Sequence, residues 1–308
     1  MTGVATAIVP ILLLLGGGAA IRRCFVSDPS FWRGLEWMSY RVFTPALFVT
    51  SVASTDLGSV PLGPLAVSVA APILVATGVI VVLRRPLRAG GPQLTSLVQG
   101  SIRINTYIGL VFASSLHGAE GTATFALASA VVVPLVNVIS VSALSRFGDR
   151  LGDSRKPPLW KEMLVNPLIQ GVALGLIVNL SGVSLPGPVS STIMLLAAPA
   201  LVCGTLISGA ALRWSFSRRD ILDIGITAIV KLIALPLGAV AIAFTFGITG
   251  PTLTSILLIT AVPTAPSAYV LASRMGGDAR LMASITGVQT VLACVTIPLL
   301  LSLLNVSS

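Results

Sequence analysis

The chain has 308 residues and a formal charge of +9, with 55% apolar side chains, 9% charged ones and a mean hydropathy of +0.98. Soluble domains carry about 25% charged residues, and long apolar runs recur here from end to end, which excludes a soluble fold with a single anchor. The cations sit in short loops between apolar runs, as in a membrane protein whose loops fix its orientation. They do not form the basic face of a nucleic-acid binder, and no nucleic-acid partner is expected.

Ten runs approach the roughly 20 apolar residues needed to cross a bilayer: about 3–21, 35–54, 62–83, 96–115, 121–145, 164–182, 187–211, 222–246, 251–273 and 279–304. The first follows Met1 without a basic n-region, so it reads as a retained span and not a signal peptide. Cys24, Cys203 and Cys294 are widely spaced and form no CxxC or Cys/His cluster. They read as free thiols, and no disulfide framework, metal or cofactor is expected.

The first loop carries Arg22, Arg23 and Arg33, and the third carries Arg84, Arg85 and Arg88. The fifth and longest, at about 146–162, carries Arg146, Arg150, Arg155, Lys156 and Lys161. The seventh has Arg213, Arg218 and Arg219, and the ninth has Arg274 and Arg280. The even loops carry no Lys or Arg, so the odd loops are expected in the cytoplasm. Ten spans then put both termini outside, in a multi-pass protein of the inner (plasma) membrane. The three remaining cations, Arg41, Arg103 and Lys231, fall within spans.

The central loop divides the chain into residues 1–146, a cytoplasmic linker 147–163, and residues 164–308. Five spans per half is an odd number, so the second half must be inverted relative to the first. The echo between halves is ordered. Thr44-Pro45-Ala46-Leu47 in the second span pairs with Ala198-Pro199-Ala200-Leu201 in the seventh. Pro72 pairs with Pro236, Tyr107 with Tyr269, and Pro134 with Pro298. The expected fold class is an all-α integral membrane protein: ten transmembrane helices in two inverted five-helix repeats, with helices 4 and 9 broken.

The fourth span holds a dense polar run, Gln99-Gly100-Ser101-Ile102-Arg103-Ile104-Asn105-Thr106-Tyr107-Ile108-Gly109. The ninth holds Pro263-Thr264-Ala265-Pro266-Ser267-Ala268-Tyr269. Two prolines three apart remove backbone donors, and irregular backbone at membrane depth survives only where it is buried in protein or lines a cavity. Broken helices at matching places in two halves point to a transporter site. Their half-helix N-termini offer positive dipole ends to an anion. Asn105, Thr106, Ser267 and Tyr269 are candidate donors to a carboxylate.

Bland readings stand beside these. Pro263 and Pro266 alone also suit a kink in a packed helix. Tyr107 and Tyr269 stand beside polar clusters inside their spans, which favours a site role over interfacial anchoring. Arg103 reads equally as a snorkelling residue or as an attractor of substrate. Lys231, about nine residues inside its span, is too deep to snorkel and is expected in a buried pair or in place of an ion. Arg41 reads as an anchor, Asn137 and Asn166 as glue between helices, and His117, with Glu120, as solvated in an outward loop. Gly16-Gly17-Gly18, and Gly171 with Gly175, read as close helix packing. No carboxylate lies deep in a span, which argues against a carboxylate-based sodium or proton relay.

The motifs also carry a resemblance. They are Arg103 to Gly109, then Pro134-Leu135-Val136-Asn137-Val138-Ile139-Ser140-Val141, then Asn166-Pro167-Leu168-Ile169, then Lys231-Leu232-Ile233-Ala234-Leu235-Pro236, then Pro263 to Ala272 followed by Gly276, Gly277 and Asp278. In this order, over nearly the whole chain, they resemble the auxin efflux carrier family, in its bacterial short form, which includes presumed malate and malonate permeases. The resemblance implies a scaffold of helices 1, 2, 6 and 7 that often mediates a homodimer. It implies a transport domain of helices 3–5 and 8–10, a substrate site where helices 4 and 9 cross, and elevator-type motion. Asn105 matches the family's crossover asparagine, and Pro263 and Pro266 align with its proline-bearing crossover. The large central loop of plant members is absent, which counts against auxin itself.

The function expected is therefore secondary active transport of a small organic anion, a mono- or dicarboxylate. Asn105, Thr106, Tyr107, Pro263, Pro266, Ser267 and Tyr269 form the substrate site, and Arg103 and Lys231 supply positive potential. Membrane lipid surrounds the protein, and coupling to protons or sodium stays open. The alternative is a sodium-coupled symporter of the bile-acid type, which resembles this fold. A membrane-embedded enzyme would need paired carboxylates or a metal site, and the sequence offers neither.

Overall fold

The computed structural model describes residues 2–149, 164–183, 185–212 and 220–304, and these are helical, with no strand among them. Most of the 147–163 linker lies outside the described residues, as do Arg150, Arg155, Lys156, Lys161, Arg213, Arg218 and Arg219.

The first helix, α1 (Thr2–Cys24), lies along α9 (Ala200–Ala210). A Cβ on Gly18 would overlap the Leu206 backbone, and a Cβ on Gly209 would overlap the Leu15 backbone. Small residues here let two main chains touch, as close packing inside a membrane requires.

Next come α2 (Pro29–Met38), a π turn (Ser39–Phe43) and α3 (Thr44–Ala53), continuous as one rod. The Asp28 carboxylate caps the rod by accepting the Ser30 N–H at 2.8 Å. The π turn sits just before Pro45, which has no N–H to give and whose ring crowds the preceding turn. Widening the helix by one residue accommodates it, and the Thr44 N–H reaches back five residues to the Ser39 carbonyl. The same device recurs between α10 (Ile221–Ile229) and α11 (Leu235–Thr245). There a π turn (Val230–Ala234) precedes Pro236, and the Leu235 N–H reaches Val230.

The α3 rod packs along α7 (Pro167–Ser181), with Gly171 against Pro45 and Gly175 against Phe48, Val49 and Val52. Asn179 closes the contact by donating to the carbonyls of Val52, Ala53 and Thr55 at 3.1, 3.1 and 2.7 Å. Asn166 is not interhelical glue: its side chain caps α7 by accepting the Leu168 N–H at 3.0 Å. A short helix α8 (Gly187–Ala197) precedes α9, the two being separated at Pro199.

The other helices form a second packed group: α4 (Leu62–Leu83), α5 (Gly91–Ile102), α6 (Thr106–Phe147), α10 and α11, α12 (Gly250–Ala261), α13 (Ser267–Met275) and α14 (Ala279–Leu303). The long α6 reverses at His117–Gly118, where Gly118 takes φ +55°. That turn separates the expected fourth and fifth spans. It also corrects the reading of His117 as solvated, because the ring is half-buried and lies 2.9 Å from the Thr254 hydroxyl of α12.

Among the described residues, five helical stretches are long and apolar enough to cross a membrane: Leu62–Leu83, Gly91–Phe147, Gly187–Ala210, Ile221–Thr245 and Ala279–Leu303. Pro167–Ser181 and Gly250–Ala261 are apolar but shorter. Bulky apolar side chains face outward, with Leu13, Val82 and Leu195 70%, 74% and 76% exposed. Gln99, Lys231 and Gln289 are fully buried instead. A soluble protein has the opposite distribution. The chain is a multi-pass membrane protein.

Candidate functional site

Two helices of the second group break midway. Between α5 and α6 the chain is extended at Arg103, Ile104 and Asn105. Between α12 and α13 it is irregular from Val262 to Pro266. Pro263 and Pro266 therefore end one helix and precede another, and do not merely kink it. The breaks meet: the Asn105 N–H donates to the Pro263 carbonyl at 2.8 Å.

Gln289 of α14 ties both breaks together from one side. Its amide donates to the Gly100 carbonyl at 2.8 Å, and its oxygen accepts from the Thr264 hydroxyl at 2.7 Å and the Thr264 N–H at 3.1 Å. The Thr264 hydroxyl also lies 3.1 Å from the Gly100 carbonyl. Gly100 is pressed against Ile285, where a Cβ would collide with that side chain, and it lies in contact range of Thr227. Lys231, carried inward by the second π turn, donates to the Thr260 carbonyl at 2.9 Å. The sequence allowed Lys231 a buried charge pair or the place of an ion; the contact it makes is with the C-terminal end of α12.

These contacts set the electrostatics of the crossing. Helix C-termini are the negative ends of the backbone dipole. Here those of α5 and α12 are covered by donors, the Gln289 amide and the Lys231 ammonium. The positive N-terminal ends of α6 and α13 face the same breaks. Residues 99–109 and 260–269 include Arg103 and no Asp or Glu. The crossing is thus a buried, net positive region.

Asn105, 2% exposed, caps α6: its oxygen lies 3.4 Å from the Ile108 N–H. Its amide donates to the Ser208 hydroxyl of α9 at 3.1 Å. Arg103 does not snorkel. It is half-buried, and its Nη2 donates to the Ser267 hydroxyl at 3.2 Å, linking one break to the start of α13. Its Nη1 is buried without a hydrogen-bond partner among the described residues. The Tyr107 ring rests on Gly204 of α9, where a Cβ would overlap it. Thr106 and Tyr269 are half-buried in the first turns of α6 and α13. Arg41 is exposed, in keeping with an anchor.

Three partners were not singled out in the sequence: Gln289, Ser208 and Gly204. A lone Gln inside an apolar span is a signal in its own right, because an unpaired amide there is costly. The Gly204-x-x-x-Ser208 spacing is a small-residue stripe of the kind that seats a neighbouring helix.

Residues 154–301 match a family model described as "Membrane transport protein". The chain is similar to this family over nearly half of its length. It is also similar to a protein described as "Uncharacterized transporter" from Methanothermobacter thermautotrophicus, with 24% identity over 263 residues and 84% of each chain covered. The family match spans α7 to α14 and so includes the second break. The protein is a membrane transporter.

Proposed function

We propose that this carrier is a secondary active transporter of small organic anions, mono- or dicarboxylates, which it moves by an elevator-type alternating-access mechanism. The observation that carries this reading is the crossing of two broken helices, joined through Asn105 and Pro263, with its negative helix ends capped and its positive ends and Arg103 left facing inward. Broken helices at mid-membrane are where secondary transporters bind substrate. Fixed positive dipoles at two breaks that carry no Asp or Glu of their own favour an anion.

The packing supports a division of labour. The pairs α1 with α9 and α3 with α7 make a scaffold from spans 1, 2, 6 and 7, and the helices around the two breaks make the moving part. In this reading the ten spans form two inverted five-span repeats, 1–146 and 164–308, joined by the 147–163 linker. The odd loops and their arginines face the cytoplasm, and the scaffold holds two copies together. Asn105, Thr106, Tyr107, Ser267 and Tyr269 line the anion's path. Arg103 and Lys231 keep it positive.

A thermal-shift titration of the detergent-purified protein tests the substrate class, because a ligand that binds the folded state raises its melting point. Carboxylates are expected to stabilise it in both sodium and potassium buffers. Stabilisation that requires sodium moves the reading to the sodium-coupled symporter. Stabilisation by cations or neutral solutes alone overturns the anion.

A further inference from the structure

The crossing carries polar groups that the fold itself does not use. The Thr44 hydroxyl on the α2–α3 rod is fully buried without a hydrogen-bond partner among the described residues, and so are the Arg103 Nη1 and the Tyr107 hydroxyl. These groups come from different parts of the fold: Tyr107 adjoins Thr44, and Arg103 is joined to them through Tyr40. The Tyr107 and Thr44 hydroxyls adjoin each other without meeting hydrogen-bond geometry. Tyr40, in the π turn just before Thr44, lies within electrostatic reach of both Arg103 and Tyr107.

A buried hydroxyl without a partner costs about 1–3 kcal/mol. Three orphaned donors around Tyr40, one of them a guanidinium, form an arrangement that a bound acceptor would repay. All three can donate, so the complementary group is an anion with several lone pairs, such as a carboxylate, which a guanidinium and two hydroxyls can satisfy together.

We propose that the α2–α3 rod supplies part of the substrate site: a substrate carboxylate is held between Arg103 and Tyr107 on the moving side and Thr44 on the rod, with Tyr40 beside the guanidinium. The proposal rests on the transporter reading above and extends it to residues outside the two breaks. The π turn matters here because it sets the rotation of the rod at Tyr40 and Thr44, and single π turns recur at functional sites. An anion bridging rod and crossing would be released when the two slide past each other. The seat also has an acidic neighbour: Glu36, one turn before Tyr40, is half-buried and within electrostatic reach of Tyr107. Its negative charge opposes a carboxylate bound at that hydroxyl.

This gives two variants of opposite sign. Thr44→Val removes a hydroxyl that has no internal partner and keeps the side chain's shape, so the ligand-free protein should melt no lower than wild type. Its apparent affinity for the probe should fall about tenfold. Glu36→Gln removes the opposing charge and should raise that affinity several-fold. The measurement is a thermal-shift titration of the full-length protein with pyruvate and with malonate, followed by uptake of the better probe into proteoliposomes. Opposite changes in the two variants, with melting points preserved, support the seat. Wild-type binding that neither variant alters overturns it and leaves the crossover reading standing. No wild-type binding of either probe overturns the carboxylate reading, and this proposal with it.

Discussion

The Asn105 N–H and the Pro263 carbonyl, 2.8 Å apart, join the two broken helices by main chain alone. Neither break can shift without carrying the other, so the crossing behaves as one body. Side chains then decide how firmly that body is held and what charge it presents. Each of the following expectations separates those two roles.

Gln289 makes contacts to both breaks, and only its bond to the Gly100 carbonyl is shared, with the Thr264 hydroxyl. Gln289→Leu leaves the Thr264 N–H buried without its acceptor, while the Gly100 carbonyl keeps the Thr264 hydroxyl. The stranded N–H costs about 1–3 kcal/mol, so the variant should be destabilised by about that much and melt earlier in detergent. Gln289→Glu keeps the acceptor for Thr264 but turns an anionic oxygen toward the Gly100 carbonyl, and it should melt early as well. Wild-type melting in Gln289→Leu would mean that the backbone bond, with the Thr264–Gly100 and Arg103–Ser267 contacts, holds the crossing without Gln289.

Asn105 can be divided between its cap and its charge. Asn105→Ala removes the cap of α6 and the bond to Ser208, a loss of about 1 kcal/mol for the cap alone, and its melting point should drop. Asn105→Asp retains the cap oxygen, and a negative charge suits a helix N-terminus, so its melting point should stay near wild type. Its affinity for carboxylates should nonetheless fall at least tenfold through like-charge repulsion. Undiminished carboxylate binding by Asn105→Asp in the titration would mean that the anion lies elsewhere.

The two breaks are legible in the sequence because their causes are local: Pro263 and Pro266 forbid a continuous helix, and the run from Gln99 to Tyr107 is too polar for a lipid-facing one. The depth of Lys231 is legible for the same reason. Its partner is not, because the Thr260 carbonyl lies 29 residues away and no residue type marks it. Ser208 meets the first break across 103 residues, and Gln289 meets the two breaks across 189 and 25 residues, separations at which only tertiary packing decides the contact. His117 escapes a local reading because φ +55° at Gly118 turns the chain back and brings the ring to Thr254. The prolines at 45 and 236 announce an irregularity, but residue preference does not distinguish a kink from the π turns that form.

Gly204 should be intolerant of even one methyl group. A Cβ there overlaps the Tyr107 ring, so Gly204→Ala must displace that ring or part α6 from α9, at about 1–3 kcal/mol. Tyr107→Ala opens the space. The double variant should therefore be more stable than the sum of the two single effects, a coupling of favourable sign that a double-mutant cycle on melting points measures. Strict additivity would show that Tyr107 relocates freely and is not seated by the α9 stripe.

Lys231→Met tests whether the buried ammonium serves the fold or the ligand. The Nζ meets one carbonyl at the end of α12 and is wholly buried. Replacing a buried charge with an apolar side chain of similar length often leaves stability unchanged or improves it, because the cost of desolvating the ion disappears. The carbonyl at Thr260 loses its donor, which works against that gain. The melting point should therefore stay close to wild type. Anion affinity should not, because a unit charge in a low-dielectric crossing acts over many ångströms. A loss of about 1.4 kcal/mol of that attraction weakens binding about tenfold. A variant that melts far below wild type yet binds carboxylates with unchanged affinity would make Lys231 the cap of α12 alone, and would leave Arg103 and the helix N-termini as the sources of positive potential.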